Sequence, residues 1–388
     1  MGIGSWGRRG AAGVLGAALL VVAGCAGEGG SGGAAVEPVT FDTGPKTTVA
    51  DVAPEGDWPA AALHDEQVYL NRPGALVVYD ATSGEETARV EPEGEPLFDS
   101  VDPTEYYRPT PALADVDGES TVLVGFAVEP SGATQLDVEI VALDAATAEV
   151  RWRVTIPEPA AAPVVPQKDA SVRVLGVERG VAVMSVAHDS ATQVTFGLSL
   201  AEREVLWEDD EASVVGVDSG VAAGFGSDTV AGIDVETGDH AWKSEIDPQR
   251  IGDAGSWILV TDDDDRTRLI SVEDGSEKSL NEDLFSEDTI CDTDDHASVV
   301  VCAEEDGAVV VLDLDSGEVL WSDADFQGKV RGLWRGAVYV ERGDSALALG
   351  ARTGEVVVDD TGAAPAIVND HVGLDQQGTD VRFYPAGE

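Results

Sequence analysis

The sequence predicts an all-β fold, a β-propeller in which four-stranded blades are arranged in a ring. One short motif recurs along the chain at intervals that suit one blade. Short β-branched segments such as "TVLVGFAV" and "GVAVMSVA" alternate with Gly, Asp and Asn, and helical periodicity is almost absent. The 388 residues are enough to bury a substantial core in such a ring.

The recurring motif is an apolar run that ends in Asp, followed by a Ser/Thr–Gly pair and by a Trp eight residues after the Asp. "AGIDVETGDHAW" and "VVVLDLDSGEVLW" are its clearest copies. The last four intervals between copies are 35, 37, 42 and 37 residues, whereas the first two, of 64 and 55 residues, carry insertions. The Asp-equivalent positions are Asp80, Asp144, Ser199, Asp234, Ser271, Asp313 and Gly350.

Each part of the motif has a local physical role. The continuous apolar run predicts a strand that is covered on both faces. The Asp can accept hydrogen bonds from amides of the following turn, and a Gly permits the positive φ that the turn needs. A Trp that recurs at one position predicts a side chain between neighbouring blades. The glycines are Gly84, Gly238, Gly317 and Gly354, and the tryptophans are Trp152, Trp207, Trp242 and Trp321.

The number of blades depends on how the ring closes. Seven copies of the motif are visible, but "AIVNDHVGLDQQGTDVRFYP" follows the last one and predicts two further strands without a closing Trp hairpin. This unfinished blade needs a strand from the N-terminal region, either "PVTFDTG" or "KTTVADV". Such closure removes exposed strand edges, which promote aggregation. We therefore expect eight blades closed by an N-terminal strand, with seven blades as the alternative.

The N-terminal residues predict an exported, lipid-anchored protein. Arg8 and Arg9 precede an apolar run that is too short to span a bilayer, as in a signal peptide. "VVAGC" resembles a bacterial lipobox, which implies acylation of Cys25 and anchoring on the extracytoplasmic side of the cell membrane. An ordinary secretory signal is the alternative. The predicted segments are a signal peptide over 1–24, a lipidated Cys and Gly-rich linker over 25–38, and a propeller domain over 39–388.

The chain is strongly acidic, with a net charge of −51 from 74 acidic and 23 basic residues. Such a surface repels phosphate backbones, which argues against nucleic-acid binding. It attracts cations, so weak Ca²⁺ binding at "ADVDGES" or "TDDDDRTR" is one hypothesis and simple solvated turns are the other. The sequence has no clustered His residues, nucleophile elbow or phosphate loop, so no catalytic residue, metal centre or cofactor is predicted.

Two cysteines are candidates for a disulfide. Cys291 and Cys302 flank a segment whose centre, near Asp295 to Ser298, has turn-like residues. If the segment is a hairpin, the two side chains lie opposite each other on one face, where a disulfide can form. An exported compartment permits this bond. Two buried free thiols are the alternative.

The form "LDxxTGexxW" resembles the repeat of bacterial PQQ-type β-propellers, which occur in quinoprotein alcohol dehydrogenases and in BamB, a lipoprotein of the outer-membrane β-barrel assembly machinery. The resemblance covers about Val39 to Tyr384. It implies a protein-binding scaffold or a PQQ-dependent enzyme. Many of the enzymes have an adjacent Cys pair over the quinone, and this sequence has none. We expect a non-catalytic, monomeric binding module of the cell envelope; a quinone enzyme and a solute or carbohydrate sensor are alternatives.

Two long insertions are expected to lie on the same face of the propeller. Residues 91–111 and 157–168 each connect the last strand of one blade to the first strand of the next. Long loops on a rigid scaffold often carry function, and exposed aromatic and Arg residues often dominate binding. The predicted partner site is therefore formed by Phe98, Tyr106, Tyr107 and Arg108. Capping of the central channel is the alternative role for these side chains.

Overall fold

Every regular element in the described part of the chain is a β-strand. The computed structural model describes residues 36–50, 60–72, 74–97, 111–130, 136–157, 170–187, 193–210, 212–226, 229–264, 266–280, 289–294, 296–304 and 307–387. The predicted signal peptide, Cys25 and most of the predicted linker lie outside these residues. No helix in the described ranges is long and apolar enough to cross a membrane.

The strands form eight antiparallel sheets of four strands each, and these sheets are the blades of a propeller. Blade 1 contains β2 (Ala61–His64), β3 (Gln67–Arg72), β4 (Ala75–Asp80) and β5 (Glu86–Val90). Blade 2 contains β6 (Ala112–Val116), β7 (Glu119–Val128), β8 (Asp137–Asp144) and β9 (Val150–Pro157). Blade 3 contains β10 (Ser171–Glu178), β11 (Val181–Ala187), β12 (Gln193–Ser199) and β13 (Val205–Asp209). Blade 4 contains β14 (Ser213–Asp218), β15 (Val221–Phe225), β16 (Val230–Asp234) and β17 (His240–Ser244).

The next three blades repeat this order of consecutive strands. Blade 5 contains β18 (Pro248–Ala254), β19 (Trp257–Asp262), β20 (Thr267–Ser271) and β21 (Glu277–Ser279). Blade 6 contains β22 (Ile290–Asp294), β23 (Val299–Ala303), β24 (Val309–Asp313) and β25 (Val319–Asp323). Blade 7 contains β26 (Lys329–Trp334), β27 (Ala337–Arg342), β28 (Ser345–Gly350) and β29 (Val356–Val358).

Blade 8 closes the ring with strands from both ends of the chain. Its inner three strands are β30 (Ile367–Val368), β31 (Val372–Gln377) and β32 (Asp380–Pro385), and its outer strand is β1 (Thr47–Val49). The predictions of eight blades and of an N-terminal closing strand are confirmed. The C-terminal stretch supplies three strands, not the predicted two. The additional strand, β30, has only two residues, which is too short to give a periodic pattern in the sequence.

The N-terminal segment is also packed into the ring before it reaches β1. The Phe41 side chain is buried, and its ring lies 5.8 Å from that of Tyr339 between their centroids. The amide of Phe41 donates to the Thr361 carbonyl at 2.8 Å. The Tyr339 hydroxyl accepts a hydrogen bond from the Val39 amide at 2.8 Å. This segment therefore joins blades 7 and 8.

The repeat motif occupies one position in seven blades. Each of the seven Asp-equivalent residues ends the third strand of its blade, so the predicted alignment is confirmed. The described residues form eight hydrophobic clusters, and each cluster lies between two neighbouring blades. The third strands are almost wholly buried because both of their faces contact adjacent blades. The core is therefore a ring of interfaces.

The two faces of the ring carry different connections. Turns between first and second strands and between third and fourth strands lie on one side, which we call the turn face. Turns between second and third strands lie on the other side together with the links between blades, and we call this side the link face. Consecutive first strands contact each other from β2 to β30 and so surround the centre of the ring.

The predicted disulfide is confirmed. Cys291 in β22 and Cys302 in β23 are direct cross-strand partners, and their sulfur atoms are bonded. Their Cα atoms are 4.0 Å apart, because the hairpin brings the two residues opposite each other. The bond ties the innermost strand of blade 6 to its neighbour.

We predict that deletion of residues 38–52 lowers the stability of the whole ring. The deletion removes β1 and the buried ring of Phe41, and loss of one buried Phe side chain alone costs about 3–5 kcal/mol. Thermal and denaturant unfolding of the purified protein measure the effect. Deletion of residues 26–35, which precede the described segment, is the control and should leave the unfolding transition unchanged. Equal stability of both deletion variants would contradict the closure.

Candidate functional site

The Asp residues of the motif fix the turns on the turn face. The Asp80 carboxylate accepts the amide of Ser83 at 2.6 Å, and Asp313 accepts that of Ser316 at 2.9 Å. Asp144 and Asp234 do the same in their blades, each with two amides of the following turn. In all four blades the carboxylate therefore accepts hydrogen bonds from amides of the turn that follows it. The predicted positive φ is found at Gly84, Gly238, Gly317 and Gly354.

Asp144 is the most strongly held of these carboxylates. Arg151 donates to it at 2.6 Å, and this hydrogen bond, followed by the Thr147 amide, lowers the pKa of Asp144 to about 2. A carboxyl whose pKa is lowered in the folded state stabilises the fold above its unfolded pKa, and the contribution is lost as the pH falls through the folded pKa. This turn therefore keeps its charged form in all but strongly acidic solution.

Three of the four motif tryptophans form hydrogen bonds between blades. The indole N–H of each donates to the backbone carbonyl of the residue that follows the third strand of the next blade. The pairs are Trp207 with Val235 at 2.7 Å, Trp242 with Val272 at 2.8 Å, and Trp321 with Ala351 at 2.7 Å. Trp152 packs into the cluster between blades 2 and 3, where the Arg203 guanidinium lies 5.4 Å from the ring centroid. All four side chains therefore lie in clusters between neighbouring blades.

Two further blades use an aromatic residue that the sequence motif did not identify. The Tyr69 hydroxyl donates to Ala145 at 2.8 Å, and the Trp257 indole donates to Leu314 at 2.5 Å. Both acceptors again follow the third strand of the next blade, but both donors lie on the second strand. In the motif copies of these two blades, Ala88 and Ser279 occupy the position of the Trp. The missing Trp was the sequence signal that could have prompted a search for another aromatic residue.

The motif glycines leave room for these indoles. A Cβ atom on Gly238 would lie 2.5 Å from the Cβ of Trp207, and one on Gly275 would lie 2.7 Å from the Trp242 ring. Gly238 also has a φ of +76°, which side chains disfavour. Two constraints therefore favour glycine at each position. The backbone has a positive φ, and the Trp side chain of the preceding blade leaves no room for a Cβ atom.

The indole environment bears on whether a quinone could bind there. Trp207 is buried, and Trp242 and Trp321 are partly buried; all three lie within clusters between blades. Their N–H groups are already bonded to backbone carbonyls. These three side chains therefore do not fit a seat in which aromatic rings stack on a cofactor. Among the described residues no group of three His, Cys, Asp or Glu could hold a metal ion.

The structure places both long insertions in links between blades. Residues 91–111 connect β5 to β6, and residues 158–170 connect β9 to β10. Both connections belong to the link face. Phe98, Tyr106, Tyr107 and Arg108 lie outside the described residues, so their role in binding stays a prediction.

The beginning of the first insertion, residues 91–97, is described, and we call it the insertion stem. It crosses to blade 2, where Pro96 forms an isolated β-bridge with Val128. The Leu97 amide donates to the Ala127 carbonyl at 2.9 Å. The stem is therefore held against the end of β7 on the link face.

A buried carboxylate fixes the insertion stem. Glu139 in β8 is 1% exposed and accepts the amide of Glu93 at 2.7 Å. Its other oxygen pairs with Arg153 at 2.6 Å, and Arg153 also donates to the Glu91 carbonyl at 2.9 Å. A buried charge is tolerated only when it is paired and hydrogen-bonded. This network therefore specifies one position for the stem.

The two acidic segments that were considered for Ca²⁺ are turns with protein partners. Asp115 accepts the Gly118 amide at 2.8 Å in the turn between β6 and β7. Asp262 is 3% exposed and pairs with Arg266 and Arg268, so at this residue the expectation of a solvated turn is wrong. Both arginines follow Asp262 closely in sequence, and the hairpin turns them back onto it.

A cavity of ≈ 290 Å³ lies between the first strands of blades 6 and 7. Val301, Val330 and Leu333 give it apolar walls, and Asp292 lies among them. Its lining also includes the link-face ends of three strands, at Ile290, Ala303 and Lys329, and Glu304, which follows β23. The pairing of β26 with β27 shifts register between Val330 and Gly332, and bulges of this kind are common near binding sites.

Two neighbouring first strands each carry an acidic residue, Asp253 in β18 and Asp292 in β22, and Asp292 lines this cavity. Burial raises the pKa of Asp253 to about 6; the Gly255 amide opposes the shift and the charge of Asp292 adds to it. Burial likewise raises the pKa of Asp292, against the Thr293 amide and with the charge of Asp294. Both residues are nevertheless exposed to solvent. Asp292 therefore contributes a solvent-accessible carboxylate to the cavity lining.

The fold defines the class of protein: the chain is an eight-bladed β-propeller. A family model described as "Outer membrane protein assembly factor BamB" matches residues 116–270. The repeats in this part of the propeller are thus similar to those of the PQQ-like, BamB-like proteins. No curated protein sequence matches this chain.

Solved structures similar to this chain share its fold at low sequence identity. BamB from Moraxella catarrhalis has 15% identity and a TM-score of 0.50, over 88% of this chain and 97% of that one. Sqt1 from Saccharomyces cerevisiae has 9% identity and a TM-score of 0.55, over 90% of this chain and all (100%) of that one. The computationally designed Ika8 protein has 12% identity and a TM-score of 0.54, over 91% and 100%.

We predict that Gly238→Ala destabilises the protein more than Gly343→Ala. Both glycines have positive φ, of +76° and +61°, so both changes incur a backbone cost of roughly 1–2 kcal/mol. Only at Gly238 does the new Cβ meet a Trp ring, whereas nothing lies within 4 Å at Gly343. Overpacking adds about 1–3 kcal/mol. Chemical denaturation measures the free energy of unfolding of both variants. Equal decreases would contradict the role of Gly238 in the contact with Trp207.

Proposed function

We propose that this protein is a non-catalytic scaffold of the cell envelope that binds a protein partner through its link face. The observation that supports this most is the insertion stem, which a buried carboxylate holds in one position. The residues that follow the stem include the predicted hot-spot side chains Phe98, Tyr106, Tyr107 and Arg108. A loop that starts from a fixed base loses less entropy on binding, because part of it is already ordered.

The position of the N-terminal segment supports the choice of face. Val36 lies beside Gly336, in a turn of the turn face, and the Glu37 amide donates to the Arg335 carbonyl at 3.1 Å. Val36 and Glu37 therefore lie at the turn face. We propose that Cys25 is acylated and that a partner approaches the link face.

The similarity to BamB supports a protein as the partner. The matching family is described as an outer membrane protein assembly factor, which is a role in handling other proteins. The fold match to BamB extends over nearly the whole of both chains. Assembly of outer-membrane proteins itself is not part of this proposal. The strongly acidic surface favours a partner with a basic contact region.

The non-catalytic part of the proposal depends on the repeat tryptophans. A quinone-dependent enzyme needs aromatic rings that are free to stack on the cofactor. In this chain the indoles of Trp207, Trp242 and Trp321 hold blades together. This arrangement favours a structural role for them over cofactor binding.

We predict that replacing Tyr106, Tyr107 and Arg108 together by Ala leaves thermal unfolding unchanged but reduces partner recovery at least tenfold. The measurement is quantitative mass spectrometry after crosslinking of the anchored protein in its own cells. The matched control replaces three exposed acidic residues of the turn face, Glu202, Glu273 and Asp315, by Ala. Recovery should then stay within twofold of that of the unchanged protein.

Glu139→Gln tests the stem separately. This change removes the negative charge opposite Arg153 while keeping the shape of the side chain, so it should loosen the stem and weaken recovery of the same partner. Full recovery with the triple variant, or equal losses with the turn-face control, would contradict binding through the link face.

A further inference from the structure

The cavity between blades 6 and 7 has the composition of a small-molecule site. Apolar side chains of both blades form its walls, and a small number of charged groups lie among them, as in most ligand sites. Ile290 at its edge is 60% exposed, although it is a large apolar residue. At roughly 30 Å³ per water molecule, the volume suits a ligand of about ten non-hydrogen atoms.

Four charged residues line the cavity, Asp292, Glu304, Lys329 and Arg331, and they differ in whether a partner compensates their charge. Arg331 is buried and pairs with Asp375 of blade 8, and Lys329 also has a partner of its own. Asp292 accepts the amide of Thr293 at 2.8 Å, and no cationic side chain of the described residues lies within ion-pair distance of it. The nearby carboxylate of Asp294 adds further negative charge. A bound cation would relieve this repulsion.

We propose that this cavity binds a small organic cation, whose apolar part lies between Val301, Val330 and Leu333 and whose ammonium group pairs with Asp292. The apolar walls favour an organic cation over a metal ion, which would need several oxygen ligands around it. The charge of Asp292 disfavours a carboxylate or phosphate group beside it. The cavity belongs to blades 6 and 7, whereas the insertion stem contacts blade 2, so either proposal can fail without the other.

The test is calorimetric titration of the purified protein with phenethylammonium, phenethyl alcohol and phenylacetate. These probes have similar aromatic bodies and carry a positive, a neutral and a negative head. The ammonium compound should bind saturably and at least tenfold more tightly than the other two. Ala303→Leu narrows the cavity without changing its charge. It should therefore weaken the binding of the ammonium compound and of the alcohol to the same extent.

Asp292→Asn supplies the decisive comparison, because it keeps the acceptor for the Thr293 amide but removes the charge. It should reduce the affinity for phenethylammonium at least tenfold and leave the affinity for phenethyl alcohol unchanged. Asp253→Asn is the matched control, since Asp253 is a neighbouring carboxylate that does not line the cavity, and its effect should stay within twofold. Equal affinities for the three probes, no binding of the ammonium compound, or equal losses in both Asn variants would overturn the proposal.

Discussion

The ring depends on one backbone position that recurs in five of the described blades, the residue that follows the third strand. In blade 4 this residue is Val235: its amide donates to the Gly220 carbonyl of its own blade at 3.1 Å, and its carbonyl accepts the Trp207 indole of the preceding blade at 2.7 Å. One residue thus joins a turn within its own blade to the preceding blade. The same arrangement occurs at Ala145, Val272, Leu314 and Ala351. Because these carbonyls are buried, loss of a donor leaves an unsatisfied acceptor, which costs about 1–3 kcal/mol.

This constraint explains why much of the fold could be predicted. The Asp, the Gly and the Trp of one copy lie within nine residues of each other. The contact between two blades therefore appears in the sequence as a short pattern that recurs. Tyr69 and Trp257 form the same contact between blades, but they lie on the second strand. Their distances in sequence from the Asp-equivalent position differ, so no fixed spacing revealed them. Glu139 looked like an ordinary strand residue, because its partners Glu93 and Arg153 come from two other segments. The cavity combines two strands of blade 6 with one of blade 7, and only the ring brings them together.

The two faces of the ring are therefore used differently. The turn face contains the hydrogen bonds that connect neighbouring blades. Its turns are fixed by carboxylates, glycines and indoles, so few other residues would fit there. The link face has no such requirement, and both long insertions and one edge of the cavity lie there. A rigid face that maintains the ring and a variable face that meets ligands is a division typical of propellers and other loop-bearing scaffolds. The proposed scaffold function and the proposed cation site both follow from this division.

The central claim is that the repeat tryptophans hold the blades together and are not a seat for a quinone. Titration of the purified protein with PQQ and Ca²⁺, followed by Trp fluorescence and by dye-linked alcohol dehydrogenase activity, tests this claim most directly. The account predicts neither saturable quenching nor activity, because the indoles are engaged between blades. Stoichiometric quenching together with turnover would contradict it and would identify the protein as an enzyme.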